Sequence, residues 1–279
     1  MDPLSLIVLG AAVGGGAGKF VEKAWDSGEK WIQCYFKDHK ENAQKQATEN
    51  SLDFLKELAQ RLKQLEDEKK VNIEIIDKAQ DHPDFSAFLQ KALLTSAQTD
   101  NKEKHKLLAR LVSERLSSQP ESVFSLASKM ACDALSYTST NQIMLLSLLT
   151  NLYIIRPFPF PPDSLALDKF QDWMDNWITQ RLIPYNNFTI GKQDLNHLES
   201  LSCLKINTFI SRDINEIFTT GEFKFNFNLF TTIELKDNIL KLWNESKLQT
   251  IDLTTTGQII GVLASDMISN TQTSFDGWE

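Results

Sequence analysis

The chain has 279 residues, a formal charge of −8 and 42% hydrophobic content, which is enough for about two folded units with real cores. The acidic balance excludes a protein that tracks nucleic-acid phosphates through clustered Lys and Arg, so nucleic acid is not expected as a partner. Cys34, Cys132 and Cys203 are few, far apart and without C-x-x-C spacing, which predicts reduced thiols in a cytoplasm rather than a disulfide framework.

The first element is an almost uninterrupted apolar run from Leu4 to Ala17 in which Gly10, Gly14 and Gly18 recur every fourth residue. On a helix this spacing forms one glycine edge, along which a second helix can approach until backbones touch, as helices do in lipid. Gly is a poor helix former in water, so the pattern predicts a segment that works against a membrane or against copies of itself. Pro3 to Val21 would be roughly 28 Å of helix, a span only if Lys19 snorkels, which fits conditional insertion better than a constitutive anchor. Trp25 and Trp31 are of the aromatic type that favours a headgroup layer. Met1-Asp2-Pro3 carries no positive charge, against a secretory signal. From Glu22 to about Asp38 the pattern is amphipathic, with Trp25, Ile32 and Phe36 at helical spacing; an ordinary helix packed on its own core shows the same.

Residues 41–156 read as helices throughout. Asn50 or Ser51 can cap a helix striped by Leu52, Leu55, Leu58, Ala59, Leu62 and Leu65, ending in the charged run 66–70. Asp84 precedes a second stripe (Phe85, Phe88, Leu89, Ala92, Leu93). A third runs through Leu107, Leu108, Leu111 and Val112, and a fourth is initiated by Pro120 and passes through Phe124, Ala127, Ala131 and Leu135. Ile143 to Ile155 is strongly apolar and too short to span a bilayer, so it is expected at the centre of a bundle. The proline-constrained stretch 156–162 can be neither helix nor central strand, and it is taken as a linker at 157–162.

Beyond it, Phe170, Trp173, Met174, Trp177, Ile178 and Leu182 form an amphipathic helix. The acids Asp172 and Asp175 are assigned to its solvated side. Phe223, Phe225, Phe227 and Leu229 alternate with polar residues, which predicts a strand, as do Leu204 to Ile210 and Leu248 to Leu253. A threonine of Thr254-Thr255-Thr256 then caps a final helix through Ile260, Leu263, Met267 and Ile268. The expected fold is mainly α: a Gly-rich apolar and amphipathic N-terminal segment (1–40), a helical bundle (41–156) and a small α+β, winged-helix-like module (163–279).

No constellation supports catalysis or a metal. A phosphate loop ending at Lys19 requires Gly where Val13 stands and Ser or Thr where Phe20 stands. The dinucleotide fingerprint fails at Lys19. His39, His82, His105 and His197 lack zinc-ligand spacing, and no serine has a nucleophile-elbow context. Asp81-His82-Pro83-Asp84 is accounted for as a turn and a helix cap. Leu253-Thr254-x-x-Gly257 suits the close of a winged helix, yet the candidate recognition helix near Asp194 to Leu204 carries Asp194 and Glu199 and no Arg, so partner binding or scaffolding is expected of it.

The Gly-rich start running into Glu22-Lys23-Ala24-Trp25, the apolar words around Phe88-Leu89, Leu107 to Leu111 and Leu148-Leu149, and Leu253-Thr254-x-x-Gly257 together resemble bacterial proteins related to the abortive-infection Abi-alpha group. That resemblance implies a bacterial protein tied to phage defence and supplies no catalytic residues. The expectation is a non-enzymatic, cofactor-free antiphage effector, cytoplasmic and conditionally associated with the inner membrane. Gly10, Gly14 and Gly18 would form the contact edge of a homo-oligomer, Lys19 the boundary, and Trp25 and Trp31 the lipid anchors, with a protein trigger or partner subunit acting on the body. The alternative is a soluble cytoplasmic adaptor whose N-terminal helix packs in an oligomer core.

Overall fold

A computed structural model describes residues 15–275, which hold 12 α-helices and one two-stranded sheet. The protein is mainly helical. The described residues divide into two compact units, one of residues 15–137 with Ser274 and Phe275, the other Thr138–Thr273.

The first unit is a bundle of α1 (Gly15–Phe36), α2 (Glu41–Asp67), α3 (Ile73–Gln80), α4 (Pro83–Ala97), α5 (Lys102–Arg115) and α6 (Val123–Tyr137). Its centre is the predicted stripe of α2, where Leu52, Leu55, Leu58 and Leu62 are fully buried and the helix packs on α4 and α5, whose Leu93, Leu108 and Leu111 are buried as well. Two of the expected helix starts are corrected. Helix α2 begins at Glu41, so Asn50 and Ser51 lie inside it: Asn50 donates from Nδ2 to the Ala97 carbonyl at 3.1 Å, and Ser51 Oγ to Ala47. A buried interhelical hydrogen bond thus replaces the cap. The start at Pro120 also moves, since Glu121 takes a left-handed φ of 65° and α6 begins at Val123. Helix α3 falls in the stretch read as helical but has no apolar stripe of its own; the Asn72 side chain caps it by accepting from the Ile75 N–H at 2.9 Å.

The second unit is built on α7 (Thr140–Tyr153) and α12 (Thr255–Ser269), each buried along most of its length. Helix α7 starts in a Ser139/Gln142 capping box. The two helices meet at Gly261, where an added Cβ would strike Thr150 Oγ1 and the Leu146 carbonyl. A buried chain of hydrogen bonds reinforces the seam: Ser265 Oγ donates to Asn151 Oδ1, Asn151 Nδ2 reaches the Tyr185 hydroxyl, and Tyr185 pairs with Ser147. The stretch 156–162 lies within this unit, between α7 and α8 (Phe170–Leu182), with cis bonds at Phe158–Pro159 and Phe160–Pro161.

Then come α9 (Lys192–Ser200), β1 (Leu204–Ile206), α10 (Ile214–Ile217), α11 (Ile233–Glu245) and β2 (Ile251–Leu253). Strands β1 and β2 pair antiparallel with Leu204 opposite Leu253, so two of the three predicted alternating runs form a sheet. The third does not. Phe225 and Phe227 are buried as expected of one face, but Leu229 is exposed, Phe230 is buried in its place, and the backbone donors are spent elsewhere. Phe225 N–H goes to Thr219 Oγ1, Asn226 N–H to Gln171 Oε1 and Phe227 N–H to Asn215 Oδ1, leaving no ladder to form. The final cap is as predicted, with Thr254 Oγ1 accepting from the Gly257 N–H.

Candidate functional site

The N-terminal helix was the sequence's strongest functional signal, and its described part is seated in the first unit. Glycine at residue 15, with φ of +63°, turns the chain into α1, and the Glu66 carboxylate near the end of α2 closes the new helix. One oxygen, Oε1, accepts from the N–H groups of Gly16 at 2.8 Å and Ala17 at 3.2 Å. A carboxylate here satisfies two orphan donors and meets the positive end of the helix dipole. A Cβ at residue 16 would lie 2.7 Å from that oxygen and 3.3 Å from Ile73 Cα, so glycine makes the close fit to Glu66 and α3.

Along the helix, Ala17, Phe20, Val21, Ala24, Trp25, Ile32 and Phe36 are buried. Phe20 packs on Phe85 with ring centroids 6.2 Å apart, and Gly28 lets Leu93 approach. On the exposed side Lys23 reaches Gln80 and, at 3.9 Å, Asp77 of α3.

Gly10 and Gly14 lie outside the described residues. Gly18 is buried on α1, Lys19 is exposed, Trp25 is 4% exposed within the bundle core and Trp31 is half-buried. The residues named as lipid anchors are therefore core or near-core residues in this conformation. No described helix is long and apolar enough to cross a membrane. Glu66 escaped sequence reasoning because its partners are about 50 positions away and the charged run around it reads as solvated.

Several titratable groups have structural partners, although His105 Nδ1 is buried without one. His105, buried, donates from Nε2 to the Thr99 carbonyl at 2.8 Å. His197 Nδ1 lies 3.2 Å from Gln142 Oε1, and His39 packs on Phe36. Asp84 is not a cap; His82 occupies that position. Asp84 instead pairs with Lys129 and Arg115, and the Lys129 hydrogen bond, ahead of the Arg115 one, holds its carboxyl below the ordinary range. Asp175 is likewise removed from the solvated side: it is buried and accepts from the Thr231 N–H at 3.2 Å and Gln171 Nε2 at 3.0 Å, and burial pushes its pKa up. Burial raises the Cys132 thiol to about 12 and the Cys203 thiol to about 11, so neither is a thiolate at neutral pH. Among the described residues no group of three or more His, Cys, Asp and Glu side chains is placed to hold a metal ion.

Two of the clefts among the described residues bear on function. One of about 190 Å³ in the first unit is edged by His82, Phe85 and Arg115, and one of about 620 Å³ in the second unit lies beside α9 and β1.

No curated protein and no solved structure matches the chain. A protein-family model described as ":-like" matches residues 18–238, from the second turn of α1 into α11. The match covers most of both units, and the chain belongs to that family, whose description names no activity, ligand or partner.

Proposed function

We propose that the protein is a non-enzymatic effector of the abortive-infection type, in which the first unit stores the N-terminal helix until a trigger releases it toward the membrane. The observation that supports this reading is the seat of α1. Its apolar face is buried and its first turn is held by the Glu66 carboxylate. Residues 4–14 alone would make roughly 16 Å of helix, about half of a bilayer's apolar thickness, so a span requires drawing out the turns that carry Ala17, Phe20 and Val21. Exposing those side chains costs roughly 5 kcal/mol, and freeing the whole helix roughly 10 kcal/mol, comparable to the stability of a small domain. Such a cost fits a device that stays silent until something pulls on it. After release, Gly10, Gly14 and Gly18 would form the edge along which copies associate, Lys19 the boundary, and Trp25 and Trp31 the headgroup anchors. The second unit, with its winged-helix-like close at Leu253 to Gly257, would receive the trigger.

The same burial favours a second reading, a soluble adaptor in which α1 never leaves the bundle. A reversible lock separates the two. In a Cys34→Ser background, Gly28→Cys with Leu93→Cys puts a disulfide across the contact at which a Cβ at 28 would meet the Leu93 side chain. Release predicts that oxidation abolishes vesicle leakage and growth arrest and that a reductant restores both. Leakage unchanged by the lock removes helix release from the mechanism, and recovery in the soluble fraction under every condition supports the adaptor.

A further inference from the structure

We propose that the second-unit cleft of about 620 Å³ is a binding site for a small organic anion with an apolar body. Its volume falls in the range of about 300–1,000 Å³ typical of ligand sites. The wall is apolar: Leu195 of α9, Ile206 of β1 and Ile251 of β2, the first and last of them buried. The sheet pairing holds Ile206 opposite Ile251, so this wall is part of the fold rather than a loop surface.

The rim carries more free positive charge than that of the first-unit cleft, where Arg115 is already bonded to Asp84 and Ser118 and Lys78 is a single further cation. Here Lys192 and Lys247 enter no ion pair among the described residues, and the Asn196 side chain makes no hydrogen bond to them. Lys247 is held at the edge in a left-handed conformation, φ 57°, where its carbonyl accepts from both the N–H (3.0 Å) and the hydroxyl (2.8 Å) of Thr250. Glu245 is the one acidic residue lining the cleft, leaving a local excess of positive charge on a chain whose net charge is −8. Two unspent ammonium groups beside an aliphatic wall select a ligand with a negative head and an apolar body.

The test uses a matched pair of fluorescent probes on the full chain: anilinonaphthalenesulfonate, and neutral phenylnaphthylamine, the same body without the sulfonate. K192M/K247M should weaken the sulfonate about tenfold and leave the neutral probe unchanged, the sum expected of two exposed charge contacts. N196W, which fills the cleft from an exposed position, should displace both probes without moving the thermal midpoint. The proposal is overturned if both variants bind the sulfonate as the parent does, or if the lysine pair weakens the two probes equally. Neither readout involves a membrane, so failure here is distinct from failure of helix release.

Discussion

Replacing Gly261 by Ala tests the claim that the second unit is organised by a close backbone crossing. The new Cβ would collide with Thr150 Oγ1, which a turn about χ1 can move aside, and would lie 2.5 Å from the Leu146 carbonyl oxygen and 3.0 Å from its carbon, which cannot move without the backbone. An ordinary C···O contact is about 3.3 Å, so α12 must retreat from α7 by roughly 0.8 Å. A gap of that size forfeits between a quarter and a half of the attraction in each contact along the seam. It also stretches the bonds linking Ser265, Asn151, Tyr185 and Ser147. The overpacking cost of about 3 kcal/mol, at the upper end because the obstacle is backbone, is offset by about 1 kcal/mol of helix propensity gained on losing glycine. A net loss of about 2 kcal/mol is expected, which lowers the urea midpoint of the second unit by about 1 M, read by circular dichroism. Gly28→Ala is the control. There the new Cβ meets the tip of Leu93 at 3.0 Å, a flexible obstacle, and the change should be near neutral. If G261A is as stable as the parent, or G28A is the more damaging of the two, the crossing is not what holds the unit.

Removing the Glu66 carboxylate as E66A should cost about 1–2 kcal/mol and speed amide exchange at Ala17 while leaving the Phe36 end of α1 protected; uniform exchange along the helix would show that Glu66 is not the cap. Asp84→Asn strands the Arg115 guanidinium, 3% exposed, and should cost about 3 kcal/mol at pH 7. The folded Asp84 pKa lies below its ordinary 3.8, so the stability it contributes is complete above about pH 4 and lost as pH falls through the lowered value. The parent should therefore lose stability faster than D84N on acid titration, and parallel curves would contradict the assignment. Lys104 is buried on α5, where desolvation lowers its pKa. K104M should accordingly raise the thermal midpoint by a few degrees, about 1 kcal/mol, and a fall would mean that its ammonium has a stabilising contact.

The elements readable from the sequence were those in which local pattern and tertiary packing agree. The α2 stripe and the Thr254-capped α12 lie where the pattern puts them, and the apolar α7 is a buried helix as expected, although it belongs to the second unit and not to the bundle of the first. The Phe223–Leu229 alternation misled because a period of two does not say where the backbone donors go; here Thr219, Gln171 and Asn215 take them, the chain leaves the extended form, and Phe230 rather than Leu229 is buried. Asp175 misled for the related reason that its partner, the Thr231 backbone, arrives from 56 residues away. Small-residue helix packing was foreseen as a principle, and among the described residues its tightest interhelical example is Gly261. For the candidate site, the sequence indicated which helix mattered through its glycines and amphipathic face. Its holding residues were hidden because Glu66, Ile73 and Leu93 join it only in three dimensions.

The distance in sequence between α1 and the groups that seat it sets a schedule for the nascent chain. Gly16 waits for Glu66, and Gly28 for Leu93, each 50 or more residues downstream. At translation rates of about 5–20 residues per second, the apolar leading end emerges several seconds before any surface that could cover it has been synthesised. During that interval the face has no cover from its own chain, so the order of synthesis, and not only the final packing, decides when α1 is first protected.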